Sequence, residues 1–313
     1  MKELQNRKDF IKKTIYLVGF GALANSPLKI LAKGLPKKIV VLHTNDWHSR
    51  IEPFPASDKN FANKGGAAFR AKIIQQIRKN EPNVLLLDAG DIFQGTPYFN
   101  FFGGELEFKL MSEMQYDCAT LGNHDFDNGI EGFYKMLKYA NFSFVNANYD
   151  FKNTLLENKI QPYKIFNKQG IKVGIFGVGI ELKDLVPDKL YGNIIYNNPI
   201  DAANKTALTL KQKGCDLIIC LSHLGNKYNN NKVSDETLAT QTNNIDLIIG
   251  GHTHTFLPEP IAYKNLSGKT TLVNQVGWAG INLGVIEFEF SPLNKKIINK
   301  VSSIKSIENS IEC

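Results

Sequence analysis

The sequence is poor in cysteine and lacks the motifs of two large enzyme classes. None of its four cysteines, at positions 118, 215, 220 and 313, forms a Cys-x-x-Cys pair, which excludes a zinc ribbon. It has no Gly-x-Ser-x-Gly motif of a serine hydrolase and no Gly-x-x-x-x-Gly-Lys-Ser/Thr loop of an NTPase. We expect Cys118, Cys215 and Cys220 to be buried free thiols because they lie in or beside apolar runs, with a disulfide as the alternative in an exported protein.

Net charge is also absent from most of the chain. The formal charge of +7 arises in residues 1–38, which hold nine Lys or Arg and two Asp or Glu, while the rest of the chain carries 28 of each sign. Nucleic-acid binding would need a basic surface on the folded body. The sequence therefore predicts no specific nucleic-acid binding.

The basic N-terminus has the pattern of an export signal. Five basic residues precede an apolar segment at residues 15–24, and a charged region before a short hydrophobic one is typical of a secretory leader. This segment is too short and too glycine-rich to span a bilayer, which takes about 20 apolar residues. A surface amphipathic helix or a disordered arm is the alternative interpretation.

Two further features of this leader indicate the export route and the cleavage site. Arg7-Lys8 resembles the twin-arginine signal with lysine in the second position, and small residues suited to cleavage lie at Ala24 and Ala32. We predict a leader at residues 1–32 and export to a bacterial periplasm, by a twin-arginine-like or general secretory route. No transmembrane anchor is expected in the mature protein.

After the leader, apolar strand-like runs alternate with helical patterns, which is typical of a layered α/β domain. We predict a single domain at residues 38–303 and a polar tail at residues 304–313. The predicted strands are 39–43, 84–88, 118–121, 144–148, 173–178, 217–221, 245–249, 271–275 and 281–290. The predicted helices are 67–79, 105–114, 129–139, 199–213 and 234–240.

Five of the six histidines directly follow a strand-like run. They are His48, His124, His223, His252 and His254, whereas His43 lies within a strand. The carboxyl ends of neighbouring strands converge on one edge of an α/β sheet, where loops build sites. We therefore expect these five imidazoles to form one cluster and His43 to be a buried structural residue.

Two of the loops combine carboxylates with this cluster. In Asp46-Trp47-His48 the first and third side chains project to the same side of an extended segment and can chelate one ion. In Asp88-Ala89-Gly90-Asp91, Gly90 permits a sharp turn and Asp91 can face two ions, while Asp88 supports or caps the loop. A β-turn with an Asx hydrogen bond is the alternative for the second motif.

The remaining loops supply an amide and the other imidazoles. Asn123 offers a neutral oxygen to an ion, His124 beside it can point at a substrate oxygen, and Asp127 can hold that imidazole in one tautomer. His223 follows another strand, and the paired glycines before His252-Thr253-His254 permit close backbone approach. Two histidines at this spacing favour a metal site over an isolated core histidine.

In this order the motifs resemble the calcineurin-like metallophosphatase superfamily, whose pattern is D-x-H, G-D, G-N-H-[DE], H and G-H-x-H. Their flanking residues are similar to the bacterial 5'-nucleotidase/UDP-sugar hydrolase branch, over about residues 38–300. The resemblance implies an α/β fold with central β-sheets, a β-sandwich, flanked by helices. It also implies metal-dependent hydrolysis of phosphate esters by a water activated between two ions, most simply a 5'-nucleotidase-type phosphomonoesterase.

The resemblance further implies a role for each site residue. His124 and Asp127 match the catalytic dyad, and substrate-binding residues remain unassigned. Some members of the branch have glutamine at the position of His254. Nitrogen and oxygen ligands without sulfur suit two divalent ions of Zn, Mn, Fe or Co. One ion would be held by Asp46, His48, Asp91 and His254, and the other by Asp91, Asn123, His223 and His252.

The substrate and the partner stay open at this level. A phosphodiesterase, a thiosulfohydrolase on the same scaffold and a non-enzymatic metal-binding subunit of a split nucleotidase are the alternatives to a nucleotidase. In two-domain nucleotidases a C-terminal domain grips the nucleotide, so a separate chain carrying that domain is a possible partner. Aromatic residues could line a pocket instead, although such residues are more often core or domain-contact surface. They are Trp47, Phe93, Tyr98, Phe99, Phe101 and Phe102.

Overall fold

Two six-stranded sheets pack face to face in the computed structural model, which describes residues 34–308. The strands are β1 (Lys37–Thr44), β2 (Val84–Asp88), β3 (Cys118–Ala119), β4 (Ser143–Phe144), β5 (Tyr149–Asp150), β6 (Tyr163–Lys168), β7 (Ile171–Gly179), β8 (Ile195–Tyr196), β9 (Leu217–His223), β10 (Leu247–Gly250), β11 (Ile261–Lys264), β12 (Thr270–Asn274), β13 (Asn282–Phe290) and β14 (Ile297–Ser306). The first sheet has the order β14-β13-β1-β2-β3-β4 and the second β11-β12-β10-β9-β7-β6, and β5 pairs with β8.

Seven α-helices within the described residues cover the outer faces of the sheets. Phe108 and Phe133 pack on the first sheet, and Ala203 and Leu238 pack on the second. The helices are α1 (Ala67–Asn80), α2 (Pro97–Phe102), α3 (Glu105–Glu113), α4 (Gly129–Met136), α5 (Asp188–Tyr191), α6 (Pro199–Gln212) and α7 (Asp235–Gln241). Two short 3₁₀ helices span His124–Phe126 and Leu137–Tyr139.

The alternation of side chains along β1 explains this layering. Ile39 and Val41 lie in the apolar layer between the two sheets, whereas Val40 and Leu42 lie in the layer under the helices of the first sheet. Successive side chains of a strand point to opposite faces, and a strand covered on both faces reads as a continuous apolar run. The uninterrupted hydrophobic run at residues 39–42 of β1 therefore specifies a central strand.

Side-chain caps mark the starts of two helices, α6 and α7. The Asn198 side chain accepts hydrogen bonds from the backbone N–H groups of Ile200 and Asp201 at the start of α6, and Pro199 in the first turn has no N–H to satisfy. The Ser234 hydroxyl accepts from the Thr237 N–H at the start of α7. These caps satisfy N–H groups that have no partner inside the helix.

Parallel pairing aligns the carboxyl ends of the central strands. β1 pairs with β2 and β2 with β3 in the first sheet, and β9 pairs with β7 and β10 in the second, all in parallel. The loops that follow these strands consequently leave from the same edge of each sheet. This edge is where the predicted metal-binding motifs lie.

The C-terminal part of the described chain differs from the sequence-based expectation. Residues 304–306, predicted as a polar tail, belong to β14, which pairs antiparallel with β13. Ile307 is fully buried, and its N–H donates to the carbonyl of Ile281. Pairing with β13 and the burial of Ile307 hold this polar segment in place. Residues 309–313 and the predicted leader at residues 1–32 lie outside the described range.

Among residues 34–308, no helix combines the length and apolar character that a bilayer crossing demands.

Candidate metal centre

All nine side chains singled out in the sequence lie at one end of the sandwich. Asp46 and His48 follow β1, Asp91 follows β2, and His223 is the last residue of β9. The loops after β3 and β10 carry the others, which are Asn123, His124, Asp127, His252 and His254. The loops of the first sheet thus meet those of the second, and residues far apart in sequence come into contact.

One group of potential ligands consists of Asp46, His48 and His254. The Nε2 atoms of the two histidines are 3.0 Å apart. Oδ1 of Asp46 is 3.3 Å from Nε2 of His254 and 4.0 Å from Nε2 of His48. Two imidazoles and one carboxylate therefore converge on a single point.

A second group consists of Asp91, His223 and His252. Nε2 of His223 is 3.0 Å from Oδ2 of Asp91. Nδ1 of His252 is 2.9 Å from Oδ1 of Asn123, which brings the amide oxygen into the same group. This is the set of residues that the sequence motifs predict for a second ion.

Asp91 lies between the two groups. Its Oδ2 atom is 3.9 Å from Nε2 of His48 in the first group, and close to His223 in the second. The Oδ1 atom accepts a hydrogen bond from the backbone N–H of His124 at 2.8 Å. A carboxylate in this position can serve two cations at once.

The protonation of these histidines suits metal binding. The Nδ1–H of His48 donates to the carbonyl of Phe93 at 3.3 Å, and that of His223 donates to the carbonyl of Ala89 at 2.7 Å. The Nε2 atom of each ring is therefore directed into the site, as in many metal-ligating histidines. Burial lowers the pKa of His48, and it lowers the pKa of His252 to about 4, which favours the neutral ligand form.

The contact between His223 and Asp91 calls for a positive charge. Burial opposes protonation of His223, but the carboxylate of Asp91 beside it raises the pKa of the imidazole. An imidazole lone pair and a carboxylate oxygen at 3.0 Å repel each other unless a proton or a metal cation lies between them. The nitrogen and oxygen atoms that meet here fit a divalent cation such as Zn, Mn, Fe or Co.

His124 and Asp127 form a separate pair at the edge of the groups. Nδ1 of His124 donates to Oδ2 of Asp127 at 2.8 Å, and the two side chains are 36% and 26% exposed. This hydrogen bond raises the pKa of His124. The ring lies 5.3 Å from that of His48, centroid to centroid, so a molecule bound at the metal groups would meet His124.

Several of the potential ligands have left-handed backbone conformations, which non-glycine residues seldom adopt. Such conformations persist when the surrounding structure over-determines them, and they concentrate at functional sites. Backbone hydrogen bonds from Asp46 to Gly90 and from His48 to Asp91, at 2.9 and 3.0 Å, hold two of these loops together. The positive φ values are 50° at Asp46, 51° at His48, 54° at Asp91, 73° at His252 and 51° at His254.

Asp125 is a residue that supports the site and that sequence reasoning missed. Its buried carboxylate accepts backbone N–H groups from Gly122, Asp91 and Ile92 at 2.8 to 3.0 Å. It thereby joins the loop after β3 to the loop that carries Asp91. Its place within Asn123-His124-Asp125 was a signal, but the role depends on a distant loop of the chain.

Several structural expectations are confirmed. Oδ1 of Asp88 accepts the N–H of Gly90 at 2.9 Å and so caps the loop before Asp91. His43 is fully buried, which lowers its pKa to about 3, and it contacts the Asn274 side chain. The buried thiols Cys118, Cys215 and Cys220 are free, whereas position 313 lies outside the described range.

The six aromatic residues proposed as an alternative pocket differ in exposure, and Tyr98 and Phe99 are partly buried. Trp47 and Phe93 are buried in the core, whereas Phe101 and Phe102 on α2 are 82% and 48% exposed. An aromatic ring that the sequence did not single out contacts one of the potential ligands. The indole of Trp278 stacks on the imidazole of His254, with the planes at 4° and the centroids 5.4 Å apart.

Comparison with known proteins connects this geometry to a family. A family model described as calcineurin-like phosphoesterase matches residues 39–256. A snake venom 5'-nucleotidase of Gloydius brevicauda is 37% identical over 228 residues, which are 70% of this chain and 37% of the relative. A 5'-nucleotidase of Vibrio cholerae is 33% identical over 278 residues, which are 81% of this chain and 49% of the relative.

A solved structure shows the same similarity in three dimensions. The crystal structure of a 5'-nucleotidase precursor from Thermus thermophilus matches with a TM-score of 0.77 and 30% identity, over 87% of this chain and 55% of that one. The chain spans about half or less of the length of the curated relatives that it matches. Its motifs, its two ligand groups and these similarities agree, and the chain belongs to the calcineurin-like phosphoesterase family.

Proposed function

We propose that this chain is a metal-dependent phosphomonoesterase of the 5'-nucleotidase type. The observation that carries the proposal is the position of Asp91 between two ligand groups, with the His124–Asp127 pair at their edge. Two cation sites that share a carboxylate provide positive charge for a phosphate ester, and the histidine pair provides a proton donor. The relatives that share this part of the chain are named 5'-nucleotidases.

In this proposal two divalent cations bind at the paired groups. Bound there, they would polarise a phosphoryl oxygen and lower the pKa of a water molecule to near neutrality. Zn, Mn, Fe and Co all suit the ligand set. Asp46, His48, Asp91 and His254 would hold one ion, and Asp91, Asn123, His223 and His252 the other.

His124 would act on the substrate. Because Nδ1 of His124 donates to Asp127, Nε2 is the atom that can donate a proton to the leaving oxygen or a hydrogen bond to a phosphoryl oxygen. Asp127 would fix the ring orientation and favour its protonated form. A non-enzymatic metal-binding subunit would have no use for this pair, so a hydrolase is the better-supported interpretation.

A metal-supplemented activity screen tests the function. The purified protein would be assayed with Mn, Zn, Co and Fe against nucleoside monophosphates, UDP-sugars, cyclic nucleotides and sulfur esters. We expect monophosphate esters to be hydrolysed fastest. Faster turnover of a cyclic nucleotide or of a sulfur ester would instead support a phosphodiesterase or a thiosulfohydrolase, and absence of all turnover would support a binding subunit.

We also propose that a second nucleotidase domain on a separate chain contributes to substrate binding. The exposed phenyl rings of Phe101 and Phe102 on α2 support this idea, because they leave apolar surface uncovered on this chain. Exposed apolar side chains that are grouped together often mark an interaction surface. Co-purification with a candidate chain, compared between the native protein and Phe101→Ser, would test the contact.

Export to the periplasm is the last part of the proposal. It rests on the basic and apolar pattern of residues 1–32, with Arg7-Lys8 ahead of the apolar segment. The mature protein would begin after Ala24 or Ala32. N-terminal sequencing of protein from the native host decides this, and an intact Met1 on a soluble cytoplasmic product would contradict it.

A further inference from the structure

The loop after β10 supplies one histidine to each ligand group. His252 belongs with Asp91 and His223, and His254 belongs with Asp46 and His48. Both residues have left-handed backbone conformations, with φ of 73° and 51°. This conformation is unfavourable for a residue with a side chain and persists only where the surroundings enforce it.

A single buried amide holds the residues that alternate with these two histidines. Nε2 of Gln275 donates to the carbonyl of Gly251 at 2.6 Å. Its Oε1 accepts from the hydroxyl of Thr253 at 3.0 Å and from the backbone N–H of Thr255. The Gln275 side chain is fully buried, so water does not replace these partners at low cost.

Gln275 is itself held rigidly. It follows β12 directly, and β12 pairs in parallel with β10, the strand from which the histidine loop leaves. The carbonyl of Gln275 accepts from the N–H of Leu257, and its own N–H donates to Oδ1 of Asn274 at 3.1 Å. The side-chain amide of Gln275 therefore has a fixed position from which it can hold the loop.

We infer that Gln275 is a positioning residue for both cation sites. Its three hydrogen bonds hold the loop in the strained form that directs His252 and His254 into different ligand groups. Removing them would let the loop relax and would weaken both sites together. This inference rests on the proposed two-metal centre, but it adds a residue that lies outside every motif in the sequence.

The test measures metal binding and not only turnover. Gln275→Met keeps the length of the side chain and removes its hydrogen bonds. We expect the dissociation constants of both ions, measured by calorimetric titration of the metal-free protein with Mn²⁺ or Zn²⁺, to rise by about 10- to 100-fold, as for other groups that orient metal ligands. At saturating metal, kcat should return towards the native value because Gln275 would not touch substrate.

Thr271→Val is the matched control. Thr271 lies on β12, is equally buried, and donates its hydroxyl to the carbonyl of Ile245 without contacting the histidine loop. This variant should lose thermal stability and keep native dissociation constants. If Gln275→Met also kept the native dissociation constants for both ions, the inference would be overturned. If the native protein did not bind two ions, the metal centre itself would be refuted.

A milder pair of variants serves if Gln275→Met does not fold. Thr253→Val removes a hydroxyl that donates to Gln275 and accepts the N–H of Asn226, and Thr255→Val removes a hydroxyl that bonds only to Thr253. Metal affinity should fall for both ions in Thr253→Val and less, or not at all, in Thr255→Val. Equal constants in the two variants would count against the role of Gln275.

Discussion

The carboxylate of Asp91 lies 3.0 Å from His223 and 3.9 Å from His48, which belong to different ligand groups. A residue shared by two sites should affect both when it is removed, whereas a residue of one site should affect that site. At the level of the single residue, the number of ions lost on substitution therefore distinguishes a ligand shared by both sites from a ligand of one site.

We therefore expect Asp91→Ala to lose both ions and His48→Ala to weaken mainly one. Metal analysis of the purified, dialysed variants by mass spectrometry gives the number of ions per chain. Circular dichroism shows whether each variant is folded. Two ions retained per chain in Asp91→Ala would show that the shared-ligand assignment is wrong.

His124 and Asn123 are neighbours in sequence with different proposed tasks. Oδ1 of Asn123 points at His252, while the His124 ring bonds to Asp127. We expect His124→Ala to keep both ions and to lose a factor of about 10² to 10⁴ in kcat, the usual contribution of a positioned acid or base.

The comparison for this prediction is Asn123→Ala, which should lose metal affinity. Steady-state kinetics at saturating metal, with metal content measured on the same samples, distinguishes the two effects. Loss of metal in His124→Ala, or unchanged turnover, would reject the role of His124.

At the scale of the elements, the loops after β2 and β3 act as one unit because Asp125 joins them. Oδ2 of Asp125 accepts from Asp91 and Gly122, and Oδ1 accepts from Ile92 at 2.9 Å. An asparagine at position 125 would have only one acceptor oxygen. Its NH₂ group would then face backbone N–H donors that now bond to the second carboxylate oxygen. The loop that carries Asp91 depends on this acceptor pair.

Asp125→Asn should lower the free energy of unfolding by about 1–3 kcal/mol, the cost of unsatisfied buried donors. Denaturant unfolding of the metal-free protein measures this quantity. Asp127→Asn is the control, since Asp127 is partly exposed and its carboxylate bonds to His124. If both variants had equal stability, Asp125 would not be the joint between these loops.

At the scale of the whole molecule, the residues that contact a substrate outside the metal groups decide its affinity. Stacking of a base on aromatic rings is worth about 1–3 kcal/mol. Each 1.4 kcal/mol is about tenfold in affinity. A domain that provides charge and proton transfer without such stacking contacts would hydrolyse esters with little regard for the base.

We expect this chain alone to hydrolyse p-nitrophenyl phosphate and to show weak preference among nucleotides. Addition of a chain that carries the second domain should lower KM for nucleotides by about one to two orders of magnitude, from stacking alone. Initial-rate kinetics with and without that chain measure this change. Tight, base-selective hydrolysis by this chain alone would instead indicate a binding surface on the chain itself, and Trp278 beside His254 would then be the first residue to replace.

The sequence by itself predicted the buried central strands and named the residues that meet at the candidate site. The centres of β1 and β9, residues 39–42 and 217–221, are continuous apolar runs because both faces are covered, and local composition is enough to reveal that. The motif after each of these strands could be assigned to one cluster, because parallel strands in a layered fold end at a common edge. His43 could be assigned to the core because it lies within such a run.

The tertiary structure alone decided what depends on residues far apart in the chain. The edge strands β6, β11 and β14 mix polar with apolar residues without a regular pattern, and they became strands through pairing with β7, β12 and β13. The roles of Asp125 and Gln275 could not be assigned from local sequence, because the loops that they hold are brought to them only by the packing of the sheets. The periodicity of hydrophobic residues indicates which faces of a segment are buried. The hydrogen-bond partners of a buried polar group, in contrast, depend on which distant segments pack against it in the folded chain.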